Sequence, residues 1–394
     1  MERFEGDLSK MWSIGHMPPK QGLTWDWWWW LVMLRDPNNP EQSKQLMTLW
    51  STKDTSYIDV DNKPWIPNGA PNTDSEGGMV LSGMVAAWYF DGEKMWDPIV
   101  LKSTKMFALN SKHKLWPGKK SEGDGAIIPI CEKDLSMGLE DNCKSFWLKL
   151  ESDKEFVEKG APKLFELKFK PWNKAVSTVK NANKKYSSEM GYDILRIHGA
   201  LASGKIDGKD VEGTAYFQKV CVQAPSPPWY WGMLHFSDGS YLDWFVPHIA
   251  TSLAMSTDKP WSGLDSGIIP LSTGGLFHDV RNERTEVFNN VNIKKSKGKH
   301  FEDADSDHPY AELPHFEIEM WNSRTTIVLG VQAISRAKWN FDQPTRGGIV
   351  SHLTYNEYPL KVTGLAIDDS KGIRTKNDWE WITGNAEHSW GLLH

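Results

Sequence analysis

The 394-residue chain has little cysteine and no long apolar run. Cys131, Cys143 and Cys221 form no CxxC pair and their number is odd, so the sequence encodes neither a disulfide framework nor a zinc ribbon. The longest apolar run, Trp27–Leu34, has eight residues, whereas a helix that crosses a bilayer needs about 20. The acidic N-terminus, MERFEGDLSK, lacks the apolar core of a secretory signal. We therefore expect a soluble cytoplasmic protein.

Several functional classes lack their sequence signals. The net charge is −6 and the basic residues are scattered among acidic ones, which predicts no nucleic-acid partner. GxSxG, HExxH and GxGxxG motifs are absent from the sequence, so the local geometries of serine hydrolases, zincins and dinucleotide-binding proteins are missing. Gly199–Lys205 spells most of a P-loop, but Ile206 replaces the required Ser or Thr and the surroundings predict strands. We expect no cofactor.

A short acidic stretch imitates the start of a calcium-binding loop. Asp303, Asp305 and Asp307 have EF-hand spacing, but His308 occupies the glycine position and Pro314 the position of the bidentate glutamate. A solvated acidic loop is the default interpretation, and a loose surface calcium site is the alternative. We expect no metal in the functional site.

Tryptophan is what the sequence has in excess, with 22 Trp beside 10 Tyr and 15 Phe. Short apolar-alternating runs recur between turn signals and helical periodicity is sparse, so we predict an all-β protein. The later predicted strands include Val287–Ile293 and, as two separate strands, Ile349–Tyr355 and Lys361–Ile367. Tryptophans in such strands favour a barrel or sandwich that encloses an apolar or ring-shaped ligand. The alternative is that they only fill a large core.

The length allows two domains, each with its own core. Gly213–Phe217 and the stretch from Gly384 to Gly391 form a faint internal echo. This echo agrees with a boundary near residue 205. We predict an N-terminal β domain over 1–205 and a C-terminal β domain over 206–394.

The aromatic stretch Trp229–His248 is predicted to be a hairpin, because Asp238-Gly239 favours a two-residue type I′ turn. That register pairs Leu234 with Asp243. It places Asp243 as a lone carboxylate on a face shared with Tyr230, Leu234, Phe236, Tyr241 and Phe245, and places His235 on the opposite face. A carboxyl group in such surroundings loses solvation and its pKa rises, which makes Asp243 a candidate proton donor. The alternative is a structural carboxylate that accepts a hydrogen bond from an indole or a turn amide.

The stretch Thr24–Arg35 is apolar on both alternating faces and is predicted to be a strand buried on both sides. Asp26 is the charge inside it and shares one face with Trp28 and Trp30. A structural role for Asp26 competes with a role in substrate binding.

These segments resemble the AttH/CrtC superfamily, which includes carotenoid 1,2-hydratases, fungal isoflavonoid hydratases such as kievitone hydratase, and lipocalin-like Diels–Alderases. The residues that carry the resemblance follow one another along most of the chain: Asp26–Trp29, Gly213–Tyr216, Trp229–Trp231, Asp238–Ser240, Tyr241 and Asp243. The resemblance implies two tandem lipocalin-like antiparallel β-barrels or sandwiches packed together, with an apolar cavity at or near their junction.

The resemblance also implies a chemistry. In the hydratase members, a cluster of tryptophan, tyrosine, aspartate and a histidine or aromatic residue protonates a terminal alkene, and water captures the tertiary cation. Tyr241 and Asp243 match the tyrosine and the aspartate, and Trp229 and Trp231 match the aromatic walls. Tyr230 stands where hydratases carry a histidine. Tryptophan faces stabilise a carbocation by cation–π attraction.

Our leading hypothesis is a cofactor-independent lyase or isomerase, hydratase-like or cyclase-like, for an apolar isoprenoid, carotenoid or polyketide-like substrate. Asp243 is the predicted general acid and Tyr241 its hydrogen-bonding partner. The predicted substrate-binding residues are Trp229, Tyr230, Trp231, Phe236, Phe245, Tyr216, Asp26, Trp28 and Trp30. Substrate uptake by peripheral contact with a membrane is compatible with this hypothesis. A non-catalytic lipid- or terpenoid-binding protein and a carbohydrate-active β protein are the alternatives.

Overall fold

The structure is a computed structural model that describes residues 22–36, 43–55, 57–67, 72–76, 78–110, 113–114, 126–132, 134–140, 145–171, 184–187, 190–250, 268–300, 312–345 and 348–393. Asp303, Asp305, Asp307 and His308, the residues of the candidate calcium loop, lie outside the described residues. Within the described part of the chain, no helix has the length and apolar character needed to cross a membrane.

The described residues are almost entirely β-strand. The first strands are β1 (Thr24–Leu34), β2 (Lys44–Lys53), β3 (Ile58–Val60), β4 (Lys63–Trp65), β5 (Asn72–Thr73), β6 (Met79–Phe90), β7 (Met95–Asn110), β8 (Ala126–Glu132), β9 (Leu135–Leu139), β10 (Phe146–Glu151), β11 (Leu164–Pro171), β12 (Lys184–Ser187), β13 (Met190–Ile206) and β14 (Lys209–Gln223). The others are β15 (Trp229–Phe236), β16 (Tyr241–Ala250), β17 (Ile268–Pro270), β18 (Gly274–Asp279), β19 (Arg284–Phe288), β20 (Asn290–His300), β21 (Glu312–Trp321), β22 (Thr325–Ala333), β23 (Ala337–Pro344), β24 (Val350–Asp369), β25 (Gly372–Thr375) and β26 (Ile382–Leu392). One helix, α1 (Lys154–Val157), and a 3-10 turn (Lys376–Asp378) complete the described elements. The predicted all-β class is confirmed.

The first sheet closes into an antiparallel barrel. Its order is β11-β10-β9-β8-β7-β6-β2-β1-β14-β13, and pairing of β11 with β13 closes the ring of 10 strands. Trp28 and Trp30 lie in the barrel's buried core, where Trp30 stacks on Phe169 with ring centroids 4.0 Å apart. Strand β1 is therefore buried on both faces, as predicted, because one face fills the barrel and the other is covered by the second sheet.

The second sheet follows the order β19-β18-β16-β15-β26-β24-β22-β21-β20. Its two ends, β19 and β20, are separated along the chain only by Asn289, so the sheet curls round until its ends meet. A separate buried core, which includes Phe236, Trp244 and Phe316, lies inside this sheet. Two short strands from the N-terminal part of the chain, β3 and β4, extend the sheet through pairing of β3 with β23.

The strands change sheet between Gln223 and Trp229, because β14 is still part of the barrel. The division into domains over 1–205 and 206–394 stays a prediction. Two details of the strand predictions were wrong. Val287–Ile293 is divided at Asn289 between β19 and β20, and the two predicted strands around Pro359 are one strand, β24.

The turn of the β15–β16 hairpin contains three residues, not two. The N–H of Gly239 donates to the carbonyl of Phe236 at 3.0 Å, and the N–H of Phe236 donates to the carbonyl of Ser240 at 3.0 Å. Of the turn residues only Gly239 has a positive φ, 87°, whereas a type I′ turn needs two. The turn is therefore a type I turn with a glycine bulge, and the predicted register was wrong by one residue.

Because of the one-residue shift, each side chain of β15 lies on the opposite face of the hairpin from the one predicted, relative to the side chains of β16. Asp243 is opposite Met233, and Tyr241 is opposite His235. Asp243 consequently shares its face of the hairpin with Trp231 and His235 of β15. Tyr230 and the β15 residues that alternate with it lie on the other face. Tyr241 and Phe245 share the face of Asp243, as predicted, but the predicted neighbours Tyr230, Leu234 and Phe236 lie on the opposite face and His235 lies on the same face.

A third apolar cluster joins the barrel to the second sheet. Trp25 packs edge-on against Phe341 with ring centroids 5.4 Å apart, and Trp29 packs edge-on against Trp231 at the same distance. Trp339 lies in the same buried cluster. The two sheets are therefore packed together through indole and phenyl side chains, and the candidate site lies in this junction.

Candidate functional site in the junction cavity

A cavity of about 200 Å³ lies between the first barrel and the second sheet. Its walls come from β1, β13 and β14 on one side and from β15, β16, β23, β24 and β26 on the other. Most of the lining side chains are aromatic or aliphatic: Trp25, Trp27, Trp29, Met47, Leu49, Ile194, Val220, Val222, Trp229, Trp231, Phe245, Trp339, Phe341 and Leu353. A small number of polar groups in such an apolar wall is typical of a ligand site.

The barrel wall of the cavity carries one polar row. Trp29, Gln218 and Arg196 are register partners on the adjacent strands β1, β14 and β13, so their side chains leave the sheet side by side. All three line the cavity. The hydroxyl of Tyr216 donates to Gln218 Oε1 at 3.1 Å, which holds the amide in place. This wall therefore presents an indole, an amide and a guanidinium to the cavity.

The facing wall carries a second row built by the same rule. Trp231, Glu387 and Glu357 are register partners on β15, β26 and β24. Glu387 lines the cavity, and its Oε2 accepts a hydrogen bond of 2.6 Å from Trp229 Nε1. The hydroxyl of Tyr355, which also lines the cavity, donates to Glu357. Two carboxyl groups are thus placed side by side behind an indole-lined wall.

The two glutamates form a buried pair on adjacent strands. Both side chains are buried, and the two residues are register partners. Glu357 Oε2 is buried and accepts no hydrogen bond from any donor in the described residues, so a proton shared with Glu387 would give it a partner. Two like charges in contact in an apolar site cannot both ionise.

Burial is the main cause of the raised pKa values of these two carboxyl groups. Burial raises the pKa of Glu387 to about 7, against the hydrogen bonds from Trp229 and Tyr355, which lower it. Burial and then the adjacent Glu387 raise the pKa of Glu357 well above its usual range. A carboxylic acid that is still protonated near neutral pH can donate a proton to a substrate in the cavity.

The structure places Asp243 and Tyr241 beside the cavity, not in its lining. Asp243 is buried, and its Oδ2 lies 3.4 Å from Nδ1 of His198. Tyr241 stacks between His198 and His278, with ring centroids 4.9 Å and 5.0 Å away. Asp243 is not among the residues that line the cavity, and the catalytic roles predicted for Asp243 and Tyr241 stay predictions.

Three of the predicted substrate-binding residues, Trp229, Trp231 and Phe245, line the cavity. Tyr216 lies immediately behind it, between Trp29 at 5.6 Å and Trp231 at 5.3 Å, and acts through its hydrogen bond to Gln218. The roles of these residues in substrate binding stay predictions.

The placement of the other predicted residues needs correction. Tyr230 points into the core of the second sheet and stacks on His388 at 4.3 Å, and Phe236 lies in the same core. The predicted hairpin register, which was wrong by one residue, had placed these two residues on the face of Asp243.

The predicted substrate-binding residues on β1 lie on the face that is turned away from the cavity. Trp28 and Trp30 fill the interior of the barrel, and it is Trp25, Trp27 and Trp29 that line the cavity. Asp26 shares the face of Trp28 and Trp30, where it forms a buried ion pair with Lys219. Since both faces of β1 are apolar, the sequence pattern does not distinguish the interior face from the junction face.

The sequence predicted no functional role for Arg196, Tyr355 or Glu357, and for Glu387 it favoured a capped surface strand over a role in closing the cavity. The available signal was the alternation of Asn385, Glu387 and Ser389 on one face of an otherwise apolar strand. Such alternation usually indicates a solvated face. Here the polar face of β26 is buried against the barrel, where Asn385 Nδ2 donates to Gln45 Oε1 on β2 at 3.0 Å.

No family model and no curated protein matches this chain. Among solved structures, the fold is similar to a candidate AttH protein from Nitrosomonas europaea, with 11% identity, a TM-score of 0.44, and coverage of 93% of this chain and 92% of that one. It is also similar to kievitone hydratase from Nectria haematococca, with 9% identity, a TM-score of 0.44, and coverage of 98% and 97%. Both similarities extend over most of this chain and most of the compared chain.

Proposed function

We propose that the protein is a cofactor-independent lyase or isomerase that protonates a carbon–carbon double bond of an apolar small molecule in the junction cavity. The observation that supports this proposal is the buried Glu357–Glu387 pair at the indole-lined wall. Glu387 is the proton donor, because it lines the cavity and Glu357 lies behind it. This assignment replaces Asp243, which does not line the cavity.

The proposed step transfers the carboxyl proton of Glu387 to one alkene carbon. The π bond supplies the electron pair of the new C–H bond, and the other carbon becomes a carbocation. Trp229, Trp231 and Trp29 line the cavity and can stabilise this cation through their ring faces. Loss of a neighbouring proton to the Glu387 carboxylate gives an isomer. Attack of a second double bond of the same molecule on the cation, followed by that proton loss, gives a cyclised product. Capture by water, followed by loss of a proton from the new oxonium to the carboxylate, gives an alcohol.

The substrate class follows from the cavity wall. Indole and phenyl side chains bind apolar and planar groups, so an isoprenoid or polyketide-like molecule fits this lining better than a sugar with many hydroxyl groups. A non-catalytic lipid-binding protein would need the cavity but would not need a shared proton beside it. The carboxyl pair therefore favours catalysis over sequestration.

Deuterium incorporation tests this proposal. A panel of unsaturated terpenoids and polyketide-like compounds is incubated with the protein in D2O, and the recovered compounds are analysed by mass spectrometry and NMR. We expect carbon-bound deuterium at an alkene position with the native protein. In Glu387→Gln we expect a rate lower by about a hundredfold or more, since general acid catalysis contributes about 10²–10⁴.

Glu317→Gln is the matched control, because Glu317 is exposed on β21. This variant should incorporate deuterium at the native rate. Tryptophan fluorescence quenching by the same compound should show that Glu387→Gln still binds it. Incorporation that is unchanged in Glu387→Gln, or binding without any incorporation in the native protein, would refute acid catalysis by Glu387.

A further inference from the structure

Arg196 is a charged side chain in an apolar cavity with no direct counter-ion among the described residues. It lines the cavity between Tyr192 and Gln218, and its Nε is buried without a hydrogen-bond partner. An unpartnered guanidinium in such surroundings is costly, because the charge loses its hydration and gains no compensating contact. A site that keeps such a group is completed by a ligand.

A second donor beside Arg196 is also without an acceptor. Nε1 of Trp29 is buried and makes no hydrogen bond with any described residue, and Trp29 lines the same cavity. Trp29 and Arg196 flank Gln218 in one row across three strands. Both side chains therefore line the cavity on either side of Gln218.

We propose that the substrate carries an oxyanion, such as a carboxylate or an acidic phenolate or enolate, which Arg196 binds at the barrel wall. This inference rests on the proposed function, because it names the substrate class of the same cavity. The guanidinium forms charge-assisted hydrogen bonds with oxyanions, and the Trp29 indole supplies a further neutral donor.

The residues with negative charge near Arg196 do not take the place of this ligand. Asp243 and Glu387 act on Arg196 electrostatically, but neither forms an ion pair or a hydrogen bond with it in the described structure. Asp243 lies against His198, and Glu387 accepts the hydrogen bond of Trp229 on the opposite wall. The described residues therefore leave the buried Nε of Arg196 without an acceptor.

The arrangement fixes the direction in which the substrate lies. Its charged end is held at the Trp29–Arg196 row, and its apolar body extends toward the row that contains Trp231 and Glu387. The edge contact between Trp29 and Trp231, at 5.4 Å between ring centroids, shows that the two rows face each other. Anchoring the oxyanion therefore presents a double bond in the body of the molecule to the acid.

Two fluorescent probes with the same ring system test the inference. 1-Anilinonaphthalene-8-sulfonate carries one anionic group, and N-phenyl-1-naphthylamine is its neutral counterpart. Dissociation constants of both are measured by fluorescence titration for the native protein, Arg196→Met and the control Asp243→Asn. Circular dichroism shows whether each variant is folded.

We expect Arg196→Met to weaken binding of the anionic probe by about tenfold or more, since a hydrogen bond to a charged group contributes about 1.5–3 kcal/mol. The neutral probe should bind both proteins within about twofold. Asp243→Asn should bind the anionic probe at least as tightly as the native protein, because it removes a nearby negative charge.

Equal affinity of the anionic probe for the native protein and a folded Arg196→Met would overturn the inference, as would a loss of both probes in that variant. Either outcome can occur while deuterium incorporation still depends on Glu387. Conversely, anion binding through Arg196 can persist when Glu387→Gln retains full incorporation. The two experiments therefore separate the failure of this inference from the failure of the proposed function.

Discussion

Replacement of Lys219 by methionine should lower the free energy of unfolding by about 3–5 kcal/mol, the usual cost of leaving one partner of a buried ion pair uncompensated. Lys219 and Asp26 form such a pair inside the barrel, and both are almost fully buried. Nζ of Lys219 also donates to the carbonyl of Val220 at 3.0 Å and lies 4.4 Å from the ring centroid of Trp28. Methionine keeps the length and apolar stem of lysine but removes every one of these polar contacts.

The loss of stability arises mainly because the carboxylate of Asp26 stays buried in the barrel without its partner. Without Lys219, the carboxylate of Asp26 keeps the 2.6 Å contact with the thiol of Cys221, which is a weak donor. The double variant Asp26→Leu/Lys219→Met removes both charges, and replacing a buried pair by apolar residues is often close to neutral. We therefore expect the double variant to regain most of the stability that the single variant loses.

Equilibrium unfolding in urea measures both effects. If the barrel and the second sheet unfold in separate transitions, the change belongs to the transition of the barrel, because both residues lie inside it. A loss below about 1 kcal/mol in Lys219→Met, or a double variant less stable than the single one, would contradict the expected role of the pair.

The strands of this protein could be predicted from the sequence, but the faces of some strands could not. The burial of Thr24–Leu34 on both sides followed from its continuous apolar character. The hairpin at Asp238-Gly239 also followed from sequence, but its register did not, because two turn types place glycine at a positive φ there. Long-range contacts of the Asp238 carboxylate, with Trp379 Nε1 at 2.7 Å and Arg281 Nε at 2.8 Å, accompany the longer turn.

The carboxyl pair could not be predicted for a different reason. Glu357 and Glu387 lie on strands that are not consecutive in the chain, and β24 and β26 are neighbours only through the topology of the sheet. Taken separately, each glutamate has the pattern of a solvated strand face. The burial that raises their pKa values can be derived only when the pairing of the strands and the covering barrel are known.

The carboxyl pair should make the protein less stable as the pH rises from about 4.5 to about 7. Glu387 has a pKa of about 4.5 in the unfolded chain and about 7 in the folded protein, so the folded state binds more protons in this interval. The free energy of unfolding from this group is therefore highest below pH 4.5 and falls as the pH passes through the folded pKa. A shift of this size corresponds to about 3 kcal/mol.

Glu387→Gln should remove the part of this dependence that comes from Glu387, because glutamine has a similar shape and no proton to lose in this range. Other groups act in the opposite direction. Burial lowers the pKa of His235 to about 3, so its contribution to stability is present above its unfolded pKa of 6.5 and is lost as the pH falls. This contribution is common to the native protein and the variant, and it cancels in the difference between their free energies of unfolding.

The measurement is urea unfolding of the native protein, Glu387→Gln and Glu317→Gln at pH values from about 4 to about 8.5. We expect the difference in stability between Glu387→Gln and the native protein to move in favour of the variant by about 3 kcal/mol across this range. The exposed-site control should show a flat difference. A flat difference for Glu387→Gln as well would mean that the glutamate ionises at its ordinary pKa in the folded protein, and a glutamate of that kind could not hold the proton that the proposed reaction requires.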